Sequence, residues 1–578
     1  MSALGVWAPA AQQVELATAA GRRALERAGG GWWLLPPPAL PPDTDYRFVL
    51  DGGAPLPDPR SPFQPAGVHG PSRTVDHAAF RWTDARFVAP PLETAVVYEL
   101  HVGTFTPAGT FDGVIHRLDH LVDLGITHLS LMPVNQFPGR RGWGYDGVGL
   151  WAVHDAYGGP DGLKRLVDAA HARGLAVLLD VVYNHLGPDG NVLGEFGPYF
   201  TRQYATFWGP ALNLDQAGSD EVRRFVCDNA AMWLRDYHLD GLRLDAVHAL
   251  FDRSAVHLLE QLAAEIAALG AELGRRGVLI AESDLNDPRL LRPREAGGFG
   301  LDAQWSDDLH HALHVLLTGE RSGYYADFGT LEALARALQD GYVYQGDYSP
   351  CRGRRHGRSP AGVARWRCFG YLQSHDQIGN RARGERIAQL ISPARARLGA
   401  GLVLTSPAVP MLFMGEEWGA SSPFLYFTDH TLPGLAERVR EGRRAEFAAF
   451  GWRPEEVPDP NDERTFLRSR LDWSELDRGE HATTLAWYRA LLRLRRERPE
   501  LRAPLTRVRF DEAERWLIAE RPSVAVCANL AERSRELAVG AGATLWLAAG
   551  PDVGVEGDRV RLPPDGFAVV GVAGAAAR

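Results

Sequence analysis

The chain predicts an α/β fold: a closed (β/α)8 TIM barrel with one β-sandwich domain before it and another after it. Three observations lead there. From about residue 95 to residue 415, short apolar or β-branched runs alternate with segments of helical period. Eight such strand runs can be counted, and alternation on that scale argues for parallel strands closed on themselves. The two flanks read differently, as short strand-like runs broken by Gly and Pro turns. At 578 residues the chain also exceeds what a single hydrophobic core supports.

The expected domains are 1–90, 91–502 and 503–578. In the first, VELATA (14–19) and YRFVLDG (46–52) are candidate strands, and DPRSPFQPAGVHGPSR (58–73) is an extended connection. The barrel opens with AVVYELH (95–101). One helix is predicted over 112–125, because Val114, Ile115, Leu118, Leu121 and Val122 follow the helical period and Gly125 suits its end. Then come strand THLSLMP (127–133), a helix over 162–174 and strand LAVLLDVVYN (175–184). A Gly/Pro-rich loop insertion, short at 186–218, precedes a helix over 220–238 and the fourth strand, GLRLDAVHAL (241–250). A helix over 255–270 leads to GVLIAES (277–283) and LDAQW (301–305). An irregular insertion is expected at 307–365, then CFGYLQSH (368–375), a helix near 387–400 and AVPMLFMG (408–415). The last helix is predicted over 483–501, before the strand runs VAVCANL (524–530) and GFAVVGV (566–572). An open doubly wound sheet is the competing topology, but no GxGxxG follows the first strand.

Composition narrows the function classes. A net charge of −10 and no long basic run point away from nucleic acid. The densest basic patch, RGRRHGR (352–358), reads as a solvated loop. Four scattered cysteines form no CxxC pair, so neither a disulfide scaffold nor a zinc site is expected. The N-terminus does not read as a signal peptide and no apolar run reaches membrane-spanning length. A soluble cytoplasmic protein, with no membrane partner, is the expectation. Sixteen Trp suit sugar faces, although aromatics also fill cores.

In a closed barrel of this kind the site lies at the C-terminal strand ends. Polar residues there are Asp180, Asn184 and His185 after strand three, and Arg243, Asp245 and His248 on strand four. Glu282 and Asp284 follow strand five; Trp305, Asp307 and Asp308 strand six; His375 and Asp376 strand seven; Glu416 and Glu417 strand eight. Individually each has a plain structural reading. Asp245 could simply pair with Arg243, His185 could cap a strand, and Glu416 and Glu417 read as lining or surface residues. Several acids on one rim are harder to dismiss, since they repel one another at a cost in stability.

Paired acids without metal or thiol suit glycosidic cleavage, in which one carboxylate attacks the anomeric carbon and a second, protonated, serves the leaving oxygen. Retaining enzymes hold the two about 5–5.5 Å apart, and adjacent strands lie about 4.8 Å apart. Tips of strands four and five fit that separation. Arg243 and Asp245, two residues apart, share a strand face, so the guanidinium can keep Asp245 ionised and aimed. Glu282 follows the apolar run VLIA, where desolvation raises a carboxyl pKa as a general acid needs.

The stretches DVVYNH, GLRLDAV, IAES and SHD resemble, in order, the four characteristic regions of the α-amylase family of glycoside hydrolases. The flanking domains are similar too, the N-terminal one to a carbohydrate module. The resemblance implies Asp245 as nucleophile, Glu282 as general acid/base and Asp376 as the third acid on the sugar bound at the cleavage point. It implies substrate contacts from Tyr145, His185, Arg243 and His375, and, more loosely, from His248, Asp284, Trp305 and Arg381. No cofactor and no metal are expected. WGYDGVGLWAVHDAYGGPDGLKRLVD, WSDDLHHALHVLLTGE, RGRRHGR and SHDQIGNRARGER sharpen the likeness. They imply hydrolysis of the α-1,4 bond next to the terminal trehalose of maltooligosyltrehalose, with release of trehalose and functional coupling to a maltooligosyltrehalose-forming enzyme. A branching or debranching enzyme on the same fold is the alternative; Gln377 stands where branching enzymes usually carry Glu. A non-catalytic sugar-binding protein is the third reading, and the intact set Asp245, Glu282 and Asp376 speaks against it.

Overall fold

The computed structural model describes residues 4–206, 208–448 and 452–573. Eight parallel strands close into a barrel: β1 (Val97–Leu100), β2 (His128–Leu131), β3 (Ala176–Val181), β4 (Gly241–Leu244), β5 (Val278–Ala281), β6 (Ala303–Trp305), β7 (Cys368–Tyr371) and β8 (Val409–Phe413). β8 pairs with β1 to complete the ring. The predicted barrel is therefore present. Its bore is filled by a layer of apolar side chains, among them Val97, Leu178, Ile280, Phe369, Val409 and Met411. Such filling makes the barrel a packed core, open only at its rim.

Register decides which polar groups meet at that rim. Asp180 on β3 is the Cα partner of Arg243 on β4, and Arg243 in turn is the partner of Ile280 on β5. Continuing that register by two residues sets Asp245 beside Glu282. Side chains alternate along a strand, so Asp180, Arg243, Asp245 and Glu282 all belong to the inward face.

At the N-terminus a four-stranded sheet is built from Gly21–Ala24, Val14–Thr18, Asp45–Leu50 and Ser72–Arg73, and a three-stranded sheet from Gly5–Trp7, Trp32–Leu34 and Glu26–Arg27. Beyond the barrel, a five-stranded sheet and a three-stranded sheet lie between Arg507 and Gly571. Among the described residues no helix is long and apolar enough to cross a membrane.

Four predicted elements differ. The helix expected near 387–400 is two, Ile387–Leu390 and Pro393–Leu404, the second starting at Pro393 behind the Ser392 cap. The single helix expected over 112–125 is two, Phe111–Ile115 and Leu118–Leu124. The turn at His116–Arg117 keeps Phe111, Val114, Leu118 and Leu121 all buried and lays the Arg117 guanidinium 4.2 Å from the Trp473 ring. Gly125 does end the second piece, in the left-handed conformation that favours glycine.

The stretch 307–365 is not irregular. It holds the helix Asp307–Thr318, a second helix Leu331–Asp340 and a hairpin of Gln345–Ser349 with Arg354–Gly357. Its first helix is disguised by histidines that count as polar but are buried. His310, for example, lies between the Leu372 carbonyl at 2.8 Å and the Tyr325 hydroxyl at 2.9 Å, and burial drives its pKa well below the usual value. The loop insertion 186–218 likewise contains a hairpin, Phe200–Thr206 with Gly209–Leu212.

Candidate active site

A cavity of about 690 Å³ opens at the C-terminal rim of the barrel. Arg243 is its electrostatic centre and is 3% exposed. Nη1 donates to Asp180 Oδ1 at 2.9 Å and Oδ2 at 2.8 Å, and to Asp245 Oδ1 at 2.7 Å. Nη2 lies 3.7 Å from Glu282 Oε2. The guanidinium rests 4.4 Å from the Trp305 ring centroid, a platform that suits a planar cation. Burial works against the Arg243 charge, but Asp180, Tyr145, Asp245 and Glu282 outweigh it and hold the group protonated.

The acids around this cation differ in environment. Asp245 has both oxygens engaged: Oδ1 by Arg243 and Oδ2 by Asn184 Nδ2 at 2.8 Å. Glu282 accepts one short bond, from the Ala246 backbone N–H at 2.6 Å. Ala246 has φ of 40°, a strained conformation for a residue with a Cβ, and such strain persists where the surroundings enforce it. Burial pushes the Glu282 carboxyl up to about 8; Arg243 opposes the shift, while Asp245 and Asp307 add to it. Asp180, more deeply enclosed, is pushed up to about 6 by burial against the pull of Arg243.

A second layer fixes the opposite wall. The Tyr145 hydroxyl donates to Asp180 Oδ2 at 2.6 Å and sits 2.9 Å from His375 Nε2. The Tyr145 and His375 rings stack with centroids 5.2 Å apart. His375 Nδ1 lies 2.5 Å from Glu99 Oε1, and the His375 backbone N–H donates to Glu99 Oε2. Burial lowers the His375 pKa, yet Glu99 outweighs it and the net shift is upward. Asp376 follows on the first turn of the helix His375–Gly379 and faces the cavity. Desolvation raises its pKa, with Asp307 and Asp245 adding to the shift and His375 and Arg243 opposing it. His185 bonds to Asn184 and to the Tyr145 carbonyl, and stacks on Trp208 at 4.4 Å.

Of the residues predicted from sequence, the structure brings Tyr145, His185, Arg243, Asp245, His248, Glu282, His375 and Asp376 into the cavity lining. Three predicted substrate contacts lie elsewhere. Trp305 is 3% exposed and supports Arg243 from below. Arg381 is turned away and bound to Glu320 by two bonds of 2.7 and 2.9 Å. Asp284 pairs with Arg352 at 2.9 Å. Glu416 and Glu417 are neither lining of this cavity nor surface residues. They are buried against Tyr488, and against Tyr98 and His120, respectively.

Sequence reading missed Trp143, Asp146, Trp208, Asn380, Tyr426 and Arg443, all in the lining, and Glu99, the partner of His375. Four of these had a visible signal: Glu99 lies near the C-terminal end of the first barrel strand, and Trp143, Asp146 and Asn380 fall within the motif stretches WGYDGVG and SHDQIGNRARGER. Among the described residues no group of three or more His, Cys, Asp or Glu side chains is placed to hold a metal ion.

Residues 77–208 match the family model for the α-amylase catalytic domain. Barrel, rim acids and this match define a glycosidase of the α-amylase class. The chain is 50% identical to the malto-oligosyltrehalose trehalohydrolase of Rhizobium sp. (strain M-11), over 98% of this chain and 97% of that one. It is 54% identical to the enzyme of the same name from Arthrobacter ramosus, covering 88% and 89%. A crystal structure of a putative α-amylase from Salmonella typhimurium superposes with a TM-score of 0.90 at 38% identity, covering 98% and 97%. The chain belongs to the malto-oligosyltrehalose trehalohydrolase family.

Proposed function

We propose that the chain hydrolyses the α-1,4-glucosidic bond next to the terminal trehalose of maltooligosyltrehalose, with retention at the anomeric carbon. Glu282 protonates the leaving trehalose oxygen while Asp245 attacks the anomeric carbon and forms a covalent glycosyl ester. Water then enters, Glu282 takes its proton, and the ester is cleaved to a shortened maltooligosaccharide. Asp376 binds the sugar at the cleavage point, and Tyr145 offers a ring to its apolar face. His185 and His375 fix the walls, and His248 contacts the leaving group.

One observation carries this assignment: a single guanidinium shared by Asp180, Asp245 and Glu282, with burial pushing the Glu282 carboxyl up to about 8. The two carboxyls stand in different environments, Asp245 bonded at both oxygens by Arg243 and Asn184 and Glu282 desolvated, which suits them to nucleophile and acid respectively. The same cluster explains the switch of roles. Esterifying Asp245 removes a negative charge that helps hold the Glu282 proton. Glu282 then becomes more acidic and is ionised when a base is needed.

The substrate is made from an α-glucan whose reducing end has been converted to trehalose, so the reaction follows a maltooligosyltrehalose-forming enzyme in the cytoplasm. Incubation with maltooligosyltrehalose is expected to release free trehalose faster than plain maltooligosaccharides of equal length are cut. Faster cleavage of the plain chains, or new branches in the product, would replace this reading with the amylase or branching one.

A further inference from the structure

The helix Leu435–Ala448 belongs to none of the stretches that carry the family resemblance, and only its Phe447 is buried. Yet Val439, Gly442 and Arg443 of this polar helix line the cavity. Arg443 ties it down. The side chain is 14% exposed, with its guanidinium 4.9 Å from the Tyr426 ring and 4.8 Å from the Phe447 ring. Nη2 donates to the Gly379 carbonyl at 3.0 Å and Nη1 to Asn380 Oδ1 at 3.1 Å. Nη1 also bonds Glu446 on its own helix at 3.0 Å.

Gly379 and Asn380 end the short helix whose first turn carries Asp376. Asn380 Nδ2 donates to Asp376 Oδ1 at 2.6 Å. A side-chain amide has one accepting end and one donating end. Arg443 can only donate, so it selects the orientation in which the Asn380 oxygen faces it. The amide NH2 is then committed to Asp376. With Arg443 gone, the amide can rotate and set its oxygen against the carboxylate. From the other side the turn is closed by Trp143, whose indole leaves no room for a side chain at Gly379. The helix holds the Asp376 backbone, through Ser374 Oγ and the Asn380 N–H, and the Asn380 amide holds its carboxylate.

We propose that Arg443 is a positioning residue for Asp376, acting through the Asn380 amide, and that it makes the helix Leu435–Ala448 part of the active site. The proposal rests on the reading of Asp376 as the third acid.

A double-mutant cycle in the full chain tests it, with Arg443→Met, Asn380→Ala and the pair. Trehalose release from maltooligosyltrehalose and cleavage of plain maltooligosaccharides are both followed, beside the melting temperature. One charge-assisted hydrogen bond at the reacting centre is worth roughly tenfold. Each single variant is expected to lower kcat about tenfold with KM changed less than threefold, and the double variant to be no slower than the slower single. Arg443→Lys keeps the charge without the planar fork and is expected to fall between; it also completes the cycle if the Met variant fails to fold. Effects that multiply in the double variant, or a lower melting temperature with unchanged kcat, overturn the relay. A wild-type chain that releases no trehalose but still cuts maltooligosaccharides overturns the substrate reading alone, because the cycle is then read on the second substrate.

Discussion

Glu282 and Glu416 stand at the ends of two barrel strands, and burial pushes each carboxyl up to about 8. Their surroundings differ in what else is present. Glu282 borders a cavity of about 690 Å³, with Arg243 at 3.7 Å and Asp245 and Asp376 in the same lining. Glu416 borders a cavity of about 150 Å³ closed by the helix Gly479–Glu497, and one of its oxygens accepts from Tyr488 at 3.0 Å. A raised carboxyl pKa thus marks burial. It marks a site only when the group opens onto a cavity and a second acid, in a different environment, stands beside it.

The contrast can be broken at either end. Glu282→Gln should leave the fold intact and lower kcat by about 10²–10⁴-fold, the usual worth of a general acid; turnover within tenfold of wild type would remove Glu282 from that role. Arg243→Met leaves three acids without their shared cation. A loss of about 3–5 kcal/mol in denaturant unfolding at neutral pH is expected, as for other broken buried pairs. The loss should shrink at pH 4, where Asp180, titrating near 6, is neutral.

Glu416→Gln should do the opposite. A carboxyl whose folded pKa is raised stabilises the fold at low pH and forfeits that stability as pH rises towards the raised value. The wild type therefore loses about 1.4 kcal/mol per pH unit from the ordinary carboxylate range up to about 8. The Gln variant, lacking that slope, gains on the wild type over the same window in pH-dependent unfolding, with kcat within twofold. A large drop in kcat would instead join Glu416 to the active site. The smallest effect is expected at Asp307, whose charge helps hold the Glu282 proton. The kcat/KM profile should lose activity on its alkaline side near 8, and Asp307→Asn should move that limb to lower pH by less than one unit. A limb that stays in place would show that the two carboxyls do not communicate.

Some of this was legible in the chain itself. GLRLDAV carries Arg243 and Asp245 two residues apart, and a period of two puts both on the inward face without further information. The apolar run before Glu282 announced desolvation. Other parts were not legible, for identifiable reasons. Arg381 and Trp305 sit in motif stretches, but whether such a side chain turns to the cavity or to a neighbour depends on partners such as Glu320 and Arg243. The helix Asp307–Thr318 was hidden because His310 and its neighbours are buried polar residues. The helix Leu435–Ala448 was invisible because its placement rests on Arg443 and Phe447 and not on an apolar stripe.

Sequence by itself determined the alternation that makes the barrel, the faces to which its strand residues belong, and the chemical types gathered at its rim. Each is a local property, read from spacings of two or of three and four residues. Only the tertiary structure decided the pairings: Asp180 with Arg243, 63 residues apart, and Glu99 with His375, 276 apart. It also decided that Glu282 opens onto the large rim cavity while Glu416 does not. Closure of the ring sets strand register, and register brings distant charges within bonding distance; no local spacing contains that information.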